Sequence, residues 1–164
     1  MRPQIRRRLT LKLLRWSVPL VLSASCSSTP PAPAPPPFQP TANMKDLMLN
    51  VLDPAADGIW ESVGTIMDKS GTFERFPQND DEWAVVRMHA IQLAESGNLL
   101  LLPSRSGGSA DWITQARALI DVSNRAIKTI DAKDKDALFT VGGDIYDVCT
   151  NCHKQFALET GARN

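Results

Sequence analysis

The residues whose types and spacing are best suited to chemistry are Cys149, Cys152 and His153, near the C-terminus. They form a C-x-x-C-H run, the pattern of covalent c-type haem attachment. Two cysteines three apart on a helix project from the same side, so both thiols can reach the vinyl groups along one porphyrin edge. The following histidine is then carried under the iron, which a neutral imidazole binds well. The run predicts two thioether bonds and, from His153, the proximal iron ligand.

Two other uses of a C-x-x-C pair fit the sequence less well. Dithiol redox pairs usually follow a strand in a βαβ unit, and no such pattern surrounds Cys149. A zinc site needs about four protein ligands. Apart from Cys26, the only other cysteine or histidine in the sequence is His89. The sequence therefore favours covalent haem.

Residues 1–25 have the composition of an export signal. They contain six basic residues, no acidic residue and a short apolar run that Pro19 interrupts, and this run is too short to span a bilayer. Small residues then lead to Cys26, an order that resembles a bacterial lipoprotein signal, in which the cysteine after the cut is lipidated. We expect lipidation of Cys26 and a location in the bacterial periplasm. Simple cleavage before Cys26 is the alternative.

Removal of this signal changes the charge balance. The whole chain has 18 basic and 18 acidic residues. The signal takes six of the basic ones, which leaves 12 against 18, a net charge of −6. A domain of this sign is a poor candidate for binding nucleic acid. Residues 26–42 are rich in proline and predict an extended tether between the membrane surface and a folded domain at residues 43–164.

Apolar residues recur at helical spacing in the first part of that domain. This stripe runs from Met44 to Ile66 and is interrupted at Asp53 and Pro54, which look like an N-cap followed by a helix-starting proline. Because the apolar residues keep the same helical spacing on both sides of the proline, we expect one kinked helix or two nearly continuous ones. A loop is predicted over residues 71–79.

Three further amphipathic helices are predicted, each starting at a residue that can cap it. They run from Asn79 to Leu102, from Ser109 to Ile130 and from Asp134 to about Gly161. No stretch alternates convincingly with period two. Four helices of roughly 20 residues with short links predict an all-α fold, an antiparallel four-helix bundle whose core can hold a cofactor.

Two glycines and several aromatic residues within these helices lead to further structural predictions. Gly142 and Gly143, inside the last helix, cost about 1 kcal/mol each relative to alanine. Close approach of a neighbouring helix or of the porphyrin would explain that cost. We expect the following aromatic residues to lie in the core, some of them beside the haem: Trp60, Trp83, Trp112, Phe139 and Phe156.

The order of these features resembles the cytochrome c′ family, the class II cytochromes c. Ordinary small cytochromes c carry the haem run near the N-terminus, whereas here it lies on the last of four helices and methionines lie on the first. The resemblance covers about residues 42–157, although only the haem run is highly specific. That family's last helix is similar to the stretch that contains Val141-Gly142-Gly143, Cys149 to His153, Lys154 and Phe156.

The resemblance implies a monohaem protein whose biochemical function, gas binding or electron transfer, depends on the sixth ligand of the iron. Some family members leave the distal face without a ligand and bind nitric oxide or carbon monoxide. Others supply a methionine from the first helix and carry single electrons. Met48 matches that position best. The family commonly has arginine four residues earlier, where this chain has Met44, a second candidate; His89, beside the apolar stripe of the second helix, is a third.

We therefore expect an electron carrier with one covalent haem c, whose iron is held by His153 and Met48. The alternative is a five-coordinate, cytochrome c′-like protein that binds nitric oxide or carbon monoxide. No acid/base pair typical of a peroxidase is evident, so an enzyme is not expected; because the residues of such a pair need not be adjacent along the chain, a haem peroxidase stays the weaker alternative. The expected partners are redox proteins of a respiratory chain and, through Cys26, a membrane. Members of the family often dimerise through their first two helices, but no sequence feature decides this for the chain.

Overall fold

Helices account for most of residues 37–160, the part of the chain that this computed structural model describes. The predicted signal, Cys26, most of the tether and Gly161 lie outside these residues. None of the described helices is both long and apolar enough to cross a membrane. In chain order the elements are α1 (Met44–Leu47), a π-helix (Met48–Leu52), α2 (Asp53–Trp60), β1 (Gly64–Asp68), β2 (Gly71–Arg75), α3 (Asp80–Leu100), α4 (Pro103–Ser106), α5 (Ala110–Asp131) and α6 (Lys135–Thr160).

Helix α1, the π-helix and α2 follow one another without a gap and form the first helical stretch, residues 44–60. Pro54 has no N–H, so the carbonyl of Asn50 lacks its usual helical donor. Just before the proline the N–H of Asp53 donates to the carbonyl of Met48, five residues back. Asp53 itself has helical dihedral angles and is not the predicted N-cap. The proline is thus accommodated by a local π-helix within one nearly continuous helix.

Strands β1 and β2 form an antiparallel hairpin. For this segment the sequence predicts the end of the first helix and a loop. Ile66 continues the helical apolar spacing, but it lies in β1 and pairs with Phe73 of β2. The carboxylate of Asp68 accepts a hydrogen bond from the N–H of Ser70 at 2.8 Å. Gly71 has φ +140°, which favours glycine. These turn residues outweigh the apolar spacing, and the helical prediction for this segment is wrong.

Unlike the cap predicted at Asp53, the caps predicted for the three later helices are observed, and Asn43 caps the first helical stretch. The side chains of Asn43, Asn79 and Ser109 each accept a hydrogen bond from the backbone N–H three residues ahead, at 2.9, 3.0 and 3.3 Å. The carboxylate of Asp134 accepts one from the N–H of Ala137 at 2.9 Å. Each of these bonds satisfies a donor that the first turn of a helix otherwise leaves free. The starts of the helices are therefore fixed locally by the sequence.

The core lies between the first helical stretch, α3, α5 and α6. Helix α3 packs along α5, α5 packs along α6, and α2 contacts both α3 and α6. Trp83 is buried and Trp60 and Trp112 are half-buried, but Phe139 is 62% exposed, contrary to its predicted core position. The largest fully buried apolar side chains come from all four helical stretches: Leu47, Ile59, Leu93, Val122, Ile130, Leu138 and Ile145.

Gly97 sets the approach of α3 to α5. A Cβ at this position would lie 2.4 Å from Cγ1 of Ile120 and 3.1 Å from the carbonyl oxygen of Ala116. We expect Gly97→Ala to lower the free energy of unfolding by about 1–3 kcal/mol, because the two helices must separate. The control is Gly143→Ala, where a Cβ meets no atom within 4 Å and where alanine should add up to about 1 kcal/mol. Urea denaturation measures both, and equal effects would contradict the tight contact at Gly97.

Candidate functional site

The C-x-x-C-H run lies in the second half of α6. Cys149 and Cys152 are half-buried, and both thiols are free. His153 is exposed. Because the whole run is helical, the two cysteines lie one turn apart with the histidine directly after them, as the sequence predicts.

A cavity of about 190 Å³ lies beside this run, and we call it the Cys149 cavity. Cys149, Cys152 and His153 line it, and so does Met48, the first residue of the π-helix. All four helical stretches thus contribute to the cavity. Its other lining residues, most of them apolar, are Leu52, Asp53, Ala56, Trp60, Leu93, Leu100, Gln115, Leu119, Tyr146, Val148 and Thr150.

The three candidates for a sixth iron ligand are placed differently. Met48 lines the Cys149 cavity, whereas Met44 and His89 do not. His89 lies at another cavity, of about 500 Å³. Its ring packs so tightly on Gly58 that a Cβ there would lie 2.4 Å from the ring. The buried Nδ1 of His89 has no hydrogen-bond partner among residues 37–160. Of the three candidates, the structure brings only Met48 to the cavity of the cysteines.

The π-helix brings a second residue of the first helical stretch, five positions after Met48, to this cavity. Met48 and Asp53 are five residues apart and both line it, as the i→i+5 turn of a π-helix allows. Single π turns of this kind are frequent at functional sites. The apolar period of the sequence does not reveal Asp53 as a lining residue. The adjacent proline is the one feature that could have drawn attention to it.

The surroundings of the two thiols favour their neutral form. Burial, with smaller contributions from the charges of Cys152 and Asp53, raises the pKa of Cys149 to about 11. Burial also raises the pKa of Cys152. A protonated thiol is a poor redox nucleophile and a poor metal ligand. Among the described residues, moreover, no three cysteine, histidine or acidic side chains are grouped as metal ligands. The raised pKa values thus disfavour the reactive thiolate form at both cysteines.

The thiol of Cys149 makes the stability of the protein depend on pH as long as its cysteines are free. The pKa of Cys149, about 11 in the folded protein, exceeds the usual 8.5 or so of an unfolded chain. The stabilisation is therefore complete below about pH 8.5 and is lost as the pH rises toward 11. Over that range we expect the haem-free protein to lose about 1–2 kcal/mol of unfolding free energy more than Cys149→Ala does. Urea denaturation at several pH values tests this, and identical profiles would contradict it.

Trp60 connects the first helical stretch to α6 beside the cavity. Its Nε1–H donates to the carbonyl of Gly142 at 2.8 Å. A Cβ on Gly142 would lie 3.4 Å from the indole ring. The ring of Trp60 also meets Tyr146 edge-on, with centroids 6.3 Å apart. The indole of a neighbouring helix therefore packs on Gly142, at a distance that would bring a Cβ into ordinary van der Waals contact.

Several lining residues were not predicted from the sequence. Tyr146 could have been found, because it lies one helical turn before Cys149 on the same helix. Leu93 and Leu100 come from α3, and Leu119 comes from α5. Their approach to the cysteines depends on how the helices pack, which the apolar period alone does not give.

Comparison with known protein families, with curated proteins and with solved structures finds no match to this chain. The resemblance to cytochrome c′ therefore stays a prediction from the residues quoted above.

Proposed function

We propose that this chain is a monohaem c-type cytochrome that carries single electrons. The haem would be joined to Cys149 and Cys152, and His153 and Met48 would hold its iron. In this proposal the four helical stretches form an antiparallel four-helix bundle with the haem on its last helix. The observation that carries the proposal is that Met48, about 100 residues away in sequence, lines the same cavity as the C-x-x-C-H run.

The chemistry of the site fits a covalent haem. Two free thiols lie one turn apart, an imidazole follows them, and a thioether comes from a second helix. The volume of about 190 Å³ is below the roughly 300–1,000 Å³ of typical ligand pockets. We therefore expect the first helical stretch and α6 to move apart when haem is bound.

In this proposal haem supplies a reversible one-electron couple, and the chain controls its surroundings. His153 would hold the iron through a ring nitrogen, and the thioether of Met48 would raise the reduction potential relative to nitrogen or thiolate ligation. Because both residues lie on packed helices, little rearrangement of the chain would accompany the gain or loss of an electron. The apolar side chains of Leu52, Leu93 and Leu119 exclude water from the cavity and lower the local dielectric constant.

The proposed location is the bacterial periplasm, with lipid on Cys26 and the proline-rich tether between the lipid and the domain. The support for it is the sequence of residues 1–42 and the need of a c-type cytochrome for export before haem attachment. The proposed partners are redox proteins of a respiratory chain.

Intact mass spectrometry of the mature protein under denaturing conditions tests this proposal. The expected mass is that of the polypeptide plus one haem, because thioether bonds survive unfolding. An additional mass on the N-terminal fragment would identify lipid at Cys26. The mass of the polypeptide alone, from cells that attach haem to other cytochromes c, would contradict the proposal.

A further inference from the structure

A surface groove of about 340 Å³ adjoins the Cys149 cavity, and we call it the Tyr146 groove. Trp60 and Tyr146 line both the groove and the cavity. Phe139 and Tyr146 are 62% and 61% exposed, so aromatic rings line the groove without being covered by the rest of residues 37–160. The remaining lining residues are Val63, Gly142 and Gly143. Two aromatic side chains thus separate this groove from the proposed haem site.

Packing within the described part of the chain does not explain why residue 143, which lines this groove, is a glycine. Glycine in the middle of a helix costs about 1 kcal/mol relative to alanine. Gly142 has the indole of Trp60 against it, but a Cβ on Gly143 would meet no atom within 4 Å. Gly143 is exposed and does not line the Cys149 cavity. A group that approaches from outside the chain would account for the missing side chain.

Helix α2 and the part of α6 between Lys135 and Lys154 carry acidic residues and no basic ones. Residues 46–68 contain five acidic side chains and no lysine or arginine, and residues 136–153 contain three and again no lysine or arginine. Asp57, Glu61 and Asp147 are exposed. Within residues 37–160 none of these three takes part in an ion pair. Helix α5, by contrast, mixes both signs of charge.

We propose that the Tyr146 groove is the docking surface for an electron-transfer protein whose own cofactor edge is surrounded by lysine and arginine side chains. An apolar side chain of this partner fills the groove over Gly143, and its basic rim faces Asp57, Glu61 and Asp147. An apolar centre with a polar rim is the usual anatomy of a protein interface. Opposite charges on the two rims raise the rate of encounter. This inference rests on the proposed electron-carrier function and adds the class of partner and its place of contact.

Two other occupants fit these charges less well. A second copy of the chain in a symmetric dimer would bring the same acidic residues close together, and like charges across an interface are unfavourable. The chain's own proline-rich segment has no basic residue to offer, since residues 26–44 contain no charged side chain. A basic partner satisfies both the apolar centre and the acidic rim.

Stopped-flow kinetics with the haem-loaded protein test whether the acidic residues contribute to docking of a basic partner. The probe is a basic cytochrome c with a lysine-rimmed haem edge, used at low ionic strength. We expect Asp57→Lys and Asp147→Lys each to lower the bimolecular rate constant about tenfold. The matched control is Asp121→Lys, which makes the same charge change at an exposed position on α5 and should change the rate less than about threefold. Equal effects of all three variants would overturn the proposal.

Gly143→Leu tests the groove itself. The space above Gly143 is open, so the variant should keep its haem spectrum and lose no stability. The rate with the basic cytochrome should fall about tenfold, a steric loss of docking, while the rate with hexaammineruthenium(III), a small cation that needs no groove, should stay unchanged. An unchanged rate with the protein probe would overturn the proposal. So would a wild-type dimer that Gly143→Leu dissociates in sedimentation experiments. Absence of covalent haem would instead refute the proposed function, so the two failures are distinguishable.

Discussion

Replacing both Cys149 and Cys152 by alanine is expected to give a polypeptide with no covalently bound haem. The two thiols are the free cysteines of the described chain, and both line the cavity that Met48 and His153 share. Without their sulfurs no side chain of the cavity can form a thioether bond to a porphyrin. Intact mass spectrometry under denaturing conditions measures the loss, which should be complete.

The matched control for this double variant is Cys26→Ala. It makes the same chemical change at the one cysteine outside the haem run. We expect Cys26→Ala to retain one haem per chain and to lose only the lipid on its N-terminus. Haem that stays covalently bound in the double variant would contradict the assignment of both cysteines.

Met48→Ala is expected to open the distal side of the iron. The variant should change from a low-spin to a high-spin spectrum and should bind carbon monoxide, since a coordination position becomes free. Its reduction potential should fall by on the order of 0.1 V, a part of the roughly 0.8 V range that axial ligands cover. Absorption spectroscopy and a redox titration of the purified variant measure these changes.

Met44→Ala serves as the control for Met48→Ala. Met44 lies one helical turn earlier and is also half-buried, but it does not line the Cys149 cavity. We expect Met44→Ala to keep the wild-type spectrum and the wild-type potential. If the spectral change followed Met44→Ala, or neither variant, the assignment of Met48 would be wrong.

The features predicted correctly from the sequence are those fixed by local interactions. The caps at Asn43, Asn79, Ser109 and Asp134 each act within three residues. The C-x-x-C-H run needs only helical geometry to bring its three side chains together. These features depend on neighbours along the chain, which the sequence displays directly.

The features that escaped prediction depend on contacts between distant segments. Ile66 has helical apolar spacing, yet the turn at Asp68 to Gly71 places it in a hairpin opposite Phe73. Phe139 is apolar and lies on a helix face, but no element of the described chain covers it. Packing likewise decides which helix faces meet at the Cys149 cavity. The spacing of apolar residues along the sequence does not determine this choice.

The absorption spectrum of the mature protein, ferric and ferrous, before and after addition of carbon monoxide, tests the central claim most directly. We predict a low-spin haem with a methionine–iron charge-transfer band in the ferric state and no response to the gas. A high-spin spectrum that shifts with carbon monoxide would contradict the claim and would indicate a five-coordinate, gas-binding protein.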